Sequence, residues 1–295
     1  MSSRFSTLLL REWMQHKRGW LVTLAVPPAL FLLTLPFGEV NGMPMDKPLA
    51  IGLIGVLATT VLLFMISMTS AVFQLPSLAR RDTQDRSIEF WLSLPASHTE
   101  SIASTILAHM VLVPLAIGGL AYGLGYLVAA AVAVKAGGFS ALAAIPWGSV
   151  VSYSLPLLAR LAFGVLLALL WAAPLMMIIM NASAWLKRWG IPALAASCVV
   201  LLAILPKLYG ITEFQHLLHD QVEGISRAII NSPKSFEHHG SGNGLELGEA
   251  AQFAAWAWND ALGSLQALAS AQFIGGLVLA AAGFYGLILR RQRGA

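Results

Sequence analysis

The chain predicts an all-α polytopic membrane protein of six spans, with an N-terminal interfacial helix and two short outer amphipathic helices. Three observations carry that expectation. Hydrophobic residues make up 57% of the 295 and charged residues only 11%, whereas soluble domains carry about 25% charge. The mean hydropathy is +0.74. The apolar residues gather in runs of the roughly 20 needed to cross hydrocarbon.

The expected spans are 19–37, 48–75, 101–134, 152–186, 191–211 and 266–289. The third and fourth exceed a bilayer's thickness. They must tilt, kink at Pro114 and Pro174, or project beyond the membrane. Residues 1–18 form the interfacial helix and 19–295 the transmembrane domain. Within the latter, 76–100 is a cytosolic segment and 212–265 an extracytoplasmic one.

Before the first span, Phe5, Leu8, Leu9, Trp13 and Met14 recur at helical spacing opposite Arg4, Arg11, Gln15 and Lys17. That pattern fits a helix lying in the interface. A polar start running to Arg18, the Pro27-Pro28 pair and the lack of a small-x-small site argue against a cleaved signal peptide.

Charge sets the orientation. With both termini cytosolic, the inner side holds Arg4, Arg11, Lys17, Arg18, Arg80, Arg81, Arg86, Lys187, Arg188, Arg290, Arg291 and Arg293. The outer side holds Lys47, Lys135, Lys207, Arg227 and Lys234, which is a positive-inside bias. The net charge of +4 is then a matter of lipid headgroups and topology, not of nucleic acid.

The extracytoplasmic segment reads as two amphipathic helices, 213–230 and 246–262, joined by Gly- and Pro-rich loop material. Lacking a core of their own, they are expected to lie on the mouth of the bundle, with Trp256 and Trp258 at interface depth. Glu213, His216, His219, Asp220 and Glu223 share one helix at metal-compatible spacing, and read as its solvated face. No metal is expected. One cysteine, Cys198, excludes an intrachain disulfide and a Cys-based metal site.

Several chemistries are excluded. No G-x-x-x-x-G-K-[ST] occurs, so no nucleotide is bound by a P-loop. No His-Glu-x-x-His occurs, and Gly224-Ile225-Ser226 lacks the closing glycine of a nucleophile elbow. The chain is not expected to be an enzyme.

Two places carry functional expectations. Arg160 lies inside a span, and intramembrane charge marks function by default. It snorkels to the outer headgroups, or meets an anionic substrate or an acid of the outer helices. With Met176, Met177 and Met180, an adaptable apolar surface, it is a candidate substrate pathway. Gly118, Gly119, Gly123 and Gly125 are expected to permit close helix approach.

The second place is Arg80–Ser97. Ile88, Trp91, Leu92, Leu94 and Pro95 supply apolar surface, while Arg80, Arg81, Asp82, Asp85, Arg86 and Glu89 supply both signs of charge. A lipid-facing helix would avoid those acids, so the pattern suits a protein surface, as a cytosolic docking element.

The stretch Asp82–Ser97 resembles the segment after the second span in permease subunits of type-2 ABC exporters, the ABC-2 type transporters. There too, charged residues lead to a hydrophobic turn and a Leu-Pro followed by small residues. The interfacial helix, six spans and extra helices before the last span extend the resemblance over nearly the whole chain. The resemblance implies a pair of permeases, homodimeric or of two close relatives, with two soluble ABC ATPase subunits docked on these segments. ATP and Mg would be bound by those partners and no cofactor by this chain. It implies export of a hydrophobic or amphipathic substrate from a bacterial cytoplasmic (inner) membrane. A membrane-embedded enzyme, for which Asn181, His109 and Arg160 are the polar candidates, and a secondary transporter or channel are the alternatives.

Overall fold

The computed structural model describes residues 2–40, 47–84, 97–232 and 247–294. Among them the chain is helical throughout, with no strand. The helices are α1 (Ser2–Thr34), α2 (Pro48–Gln84), α3 (His98–Ile106), α4 (Val113–Ala144), α5 (Trp147–Leu186), α6 (Gly190–Val199), α7 (Leu205–Tyr209), α8 (Glu213–Ile229), α9 (Leu247–Gln266) and α10 (Ala271–Gly294).

Among the described residues, five helical runs are long and apolar enough to cross a membrane: Arg4–Phe37, Pro48–Arg81, His98–Ala144, Trp147–Tyr209 and Ala271–Arg293. The expected count of six is thus not reached by length and composition, because the expected fourth and fifth spans fall in one 63-residue run. That run is sharply bent. Lys187 has a φ of 52°, and a Cβ added to Gly190 would sit 2.5 Å from the Ala182 carbonyl oxygen. Residues eight apart in a straight helix are about 12 Å apart, so the chain doubles back here. Glycine is required because any side chain would strike the preceding turn.

The N-terminal expectation also changes. Residues 2–34 form one continuous 33-residue helix, not an interfacial helix followed by a separate span. A lone glycine, Gly19, costs a helix only about 1 kcal/mol, too little to break it. The long third run leaves regular helical geometry in two places, and the kink is not at Pro114 but at Gly137–Gly138, where Gly138 has a φ of 72°. A π-helical stretch, Leu107–Leu112, joins α3 to α4 just before Pro114, whose ring would clash with the preceding turn of a regular helix. Ser97 and Glu100 form a reciprocal capping box that starts α3.

The helices α2 and α4 approach most closely. A Cβ on Gly55 would lie 2.6 Å from that of Ala129, and one on Gly125 2.8 Å from the Val56 backbone. Gly118 faces Phe64, while Gly119 and Gly123 face open space. Only Gly125 of the four therefore brings two backbones together. Around this seam Ile51, Val56, Ala129, Ala133, Ile145 and Val150 form one buried cluster.

The central helix is α5. It packs against α2, α8, α9 and α10. Met176, Met177 and Met180 are buried there with Ala71, Leu75, Met110, Ala280 and Leu287, so they are core residues rather than an exposed surface. Nearby, the Asn181 amide donates to the Met177 and Gly283 carbonyls at 2.8 and 2.7 Å, tying α5 to α10.

Nor do α8 and α9 rest on top of the bundle; both pack along the side of α5. Gly224 of α8 lies flat on the Trp171 ring, and Gly164 of α5 abuts the Ala228–Ile229 backbone. Phe253 and Trp256 of α9 are buried against Tyr153 of α5. Trp256 is therefore a core residue, whereas Trp258 is exposed.

Candidate functional site: two buried ion-pair hubs

The first hub is built around a side chain that the composition gave no reason to expect inside. Glu12 of α1 is fully buried. Its carboxylate accepts both terminal nitrogens of Arg81 at 2.8 Å, Arg11 at 2.6 Å and the Thr105 hydroxyl at 3.0 Å. His109 Nε2 lies 3.3 Å away. Three separate segments meet here: α1, the last turn of α2, and the α3–π stretch.

Local sequence explains the convergence. Pro76 does not end α2, which carries on to Gln84 and so delivers Arg81 to the hub. The π-helical stretch contains His109, whose ring faces α1. His109 meets His16 and Trp20 at ring-centroid separations of 4.5 and 5.4 Å. A carboxylate taken out of water is tolerable only when paired and fully hydrogen-bonded, and Glu12 satisfies both conditions.

Glu12, His16 and His109 also bring three potential metal-ligand atoms within 4.8 Å of one another. The electrostatics disfavour a metal there. Both carboxylate oxygens of Glu12 are already engaged by guanidinium groups, which a metal ion would have to displace and then sit beside, like charge against like in a region of low dielectric. The arrangement is a tether between helices.

The second hub resolves the alternatives for Arg160. It is 3% exposed, so it does not snorkel. It donates to Asp260 of α9 through Nε at 2.8 Å, to the Ser264 hydroxyl at 2.6 Å and to the Ala228 carbonyl at 3.1 Å. Asp260 in turn accepts the backbone N–H groups of Asn231 and Ser232 at 3.1 and 2.8 Å. Arg160 thus meets an acid of the segment 212–265, as one alternative held, and its guanidinium is occupied in fastening α8 and α9 to α5.

Of the expected docking segment, Arg81 is half-buried and engaged by the Glu12 hub, and Asp82 lies in the last turn of α2. Asp85, Arg86, Glu89, Trp91, Leu92, Leu94 and Pro95 lie outside the described residues. Glu213, His216 and His219 are exposed on α8, and Asp220 accepts a hydrogen bond from Gln272.

Sequence reasoning missed Glu12. The signal was present. Glu12 is the one acid among Arg4, Arg11, Lys17 and Arg18, and a helix lying on anionic lipid has no use for an acid. The argument applied to Asp82, Asp85 and Glu89 applies equally to it. No family model, no curated protein and no solved structure matches this chain.

Proposed function

We propose that the chain is the transmembrane permease subunit of an ATP-driven exporter of the ABC-2 type. In this reading it crosses the bacterial cytoplasmic membrane six times, with Gly190–Tyr209 as the fifth span and both termini inside. It carries no nucleotide site of its own and works as a pair of permeases with two soluble ABC ATPase subunits. Its passenger is hydrophobic or amphipathic, in keeping with spans that offer little charge to a small ion.

The observation that carries the reading is the position of the Glu12 hub. Arg81 stands four residues before Asp85, at the root of the segment whose charge and apolar pattern suit a soluble partner. A push on that segment needs a stiff attachment to the spans if it is to bias their arrangement. The paired Glu12–Arg81–Thr105 contacts supply one, reaching α1 and the α3–π stretch together. Arg160, Met176, Met177 and Met180 pack between α5 and its neighbours, so a substrate pathway at these residues requires those helices to part.

The test is the double substitution Trp91→Ala, Leu92→Ala. It should release a co-expressed soluble P-loop ATPase from the purified permease, or uncouple ATP hydrolysis from transport in vesicles. Intact assembly and full transport by the double mutant would refute the docking assignment.

A further inference from the structure

The ends of α5 and α10 meet at one indole. Trp185, in the last turn of α5, has the guanidinium carbons of Arg290 and Arg293 each 5.8 Å from its ring centroid. The two arginines stand three residues apart on α10, so they share a helix face. Arg290 Nε also donates to the Ala184 carbonyl at 3.3 Å, at a helix end that favours a cation. Just beyond Trp185 the chain turns through Lys187 and Arg188. The Arg188 guanidinium carbon lies 5.9 Å from the Trp189 centroid. By chain length, the Cα atoms of Lys187 and Arg188 stand within about 8 and 11 Å of that of Trp185.

Four cations therefore gather with no anion to answer them. No acid occurs in α5, α6 or α10. Among the described residues, Arg11, Arg81, Arg160 and Arg227 each have a carboxylate partner, whereas Lys187, Arg188, Arg290 and Arg293 have none. The three arginines rest on ring faces, which hold a guanidinium in place without neutralising it. Like charges fixed at such close range favour the arrival of an anion.

The occupant is anionic at one end and apolar beside it. Trp185 and Trp189 are exposed, and so are Leu186 and Ile191 next to them. Indoles favour the headgroup level of a membrane, and the guanidinium fork matches phosphate oxygens in pairs. An acidic protein surface would answer the charge but leave those apolar side chains in water. We propose that Lys187, Arg188, Arg290 and Arg293 bind the phosphate of an anionic phospholipid, its acyl chains lying beside Leu186 and Ile191. The site rests on the membrane reading and not on the ATPase partner.

The experiment is native mass spectrometry of the full chain, reconstituted with phosphatidylglycerol or phosphatidylcholine and then extracted in detergent. Wild type should retain one phosphatidylglycerol per chain and little phosphatidylcholine. Arg293→Gln should lower phosphatidylglycerol retention about fivefold, the worth of one basic residue near an anionic surface. Arg293 is exposed and touches only the Trp185 ring among the described residues, so this variant keeps its fold. Adding Arg290→Gln should bring the loss to about thirtyfold. Lys207→Gln removes an exposed cation of α7 and should retain lipid as wild type does. Unchanged retention by Arg293→Gln and by the double variant would overturn the proposal. So would equal retention of the two lipids by wild type, or a loss from Lys207→Gln as large as that from Arg293→Gln. A chain that stays in solution without detergent would overturn the membrane reading and the site with it.

Discussion

Both terminal nitrogens of Arg81 meet the Glu12 carboxylate at 2.8 Å, one to each oxygen, across 69 residues of sequence. This two-pronged contact joins the first helix to the end of the second. Its planar fork fixes angle as well as distance. Arg11 and Thr105 complete the shell, so α1 cannot rotate at this level without stripping a buried charge of its partners.

Truncating Glu12 should therefore cost more than an ordinary polar substitution. Glu12→Ala removes the one carboxylate that α1, α2 and the α3–π stretch share, and removing one partner of a buried ion pair costs about 3–5 kcal/mol. Thermal unfolding in detergent should fall markedly. Amide exchange in residues 4–18 should quicken relative to α5. Unchanged protection of α1 would show that the hub does not tether it.

Arg81→Lys keeps the charge but loses the fork. Its destabilisation should fall clearly below that of Glu12→Ala. A double-mutant cycle between Glu12→Gln and Arg81→Met should give a coupling energy above about 1 kcal/mol, the sign of direct interaction. Strict additivity would remove the contact from the account.

At the second hub, Arg160→Met and Asp260→Leu should each be strongly destabilising, by about 3 kcal/mol or more, because each strands a buried partner. Combining them should recover most of the loss, since an apolar pair of similar volume often replaces a buried ion pair without cost. The readout is thermal stability together with protease resistance of α8 and α9. A double mutant as unstable as the summed singles would mean that the hub supports more than helix attachment.

The glycines separate cleanly by position. Gly125→Val would drive a side chain into the Val56 backbone, 2.8 Å from the new Cβ, and should cost about 1–3 kcal/mol through forced separation of α2 and α4. Gly119→Ala meets no atom within 4 Å. It should be neutral, or stabilising by up to about 1 kcal/mol through helix propensity. Equal effects at the two positions would contradict the observed seam.

Topology is open to labelling. In a Cys198→Ser background, required because that thiol is exposed, Ser241→Cys should react only from outside and Ser87→Cys only from inside. Reaction of both from one face would overturn the proposed orientation.

The sequence by itself determined that this chain is helical and apolar enough for a membrane, because length and hydropathy along a run are local properties. It did not locate the bends: Pro174 stays inside a continuous helix and Pro114 has only a π-helical stretch beside it, while the backbone breaks at Gly137–Gly138 and at Lys187. Tertiary structure decided which charges are partners. Glu12 lies 69 residues from Arg81 and 97 from His109, and Arg160 lies 100 from Asp260, so no spacing rule could pair them. It decided equally that Met176, Met177 and Met180 are core and that α8 and α9 flank α5. An amphipathic face or a methionine stripe states only that something covers it, and the neighbouring helix that does so is chosen by packing across the whole bundle.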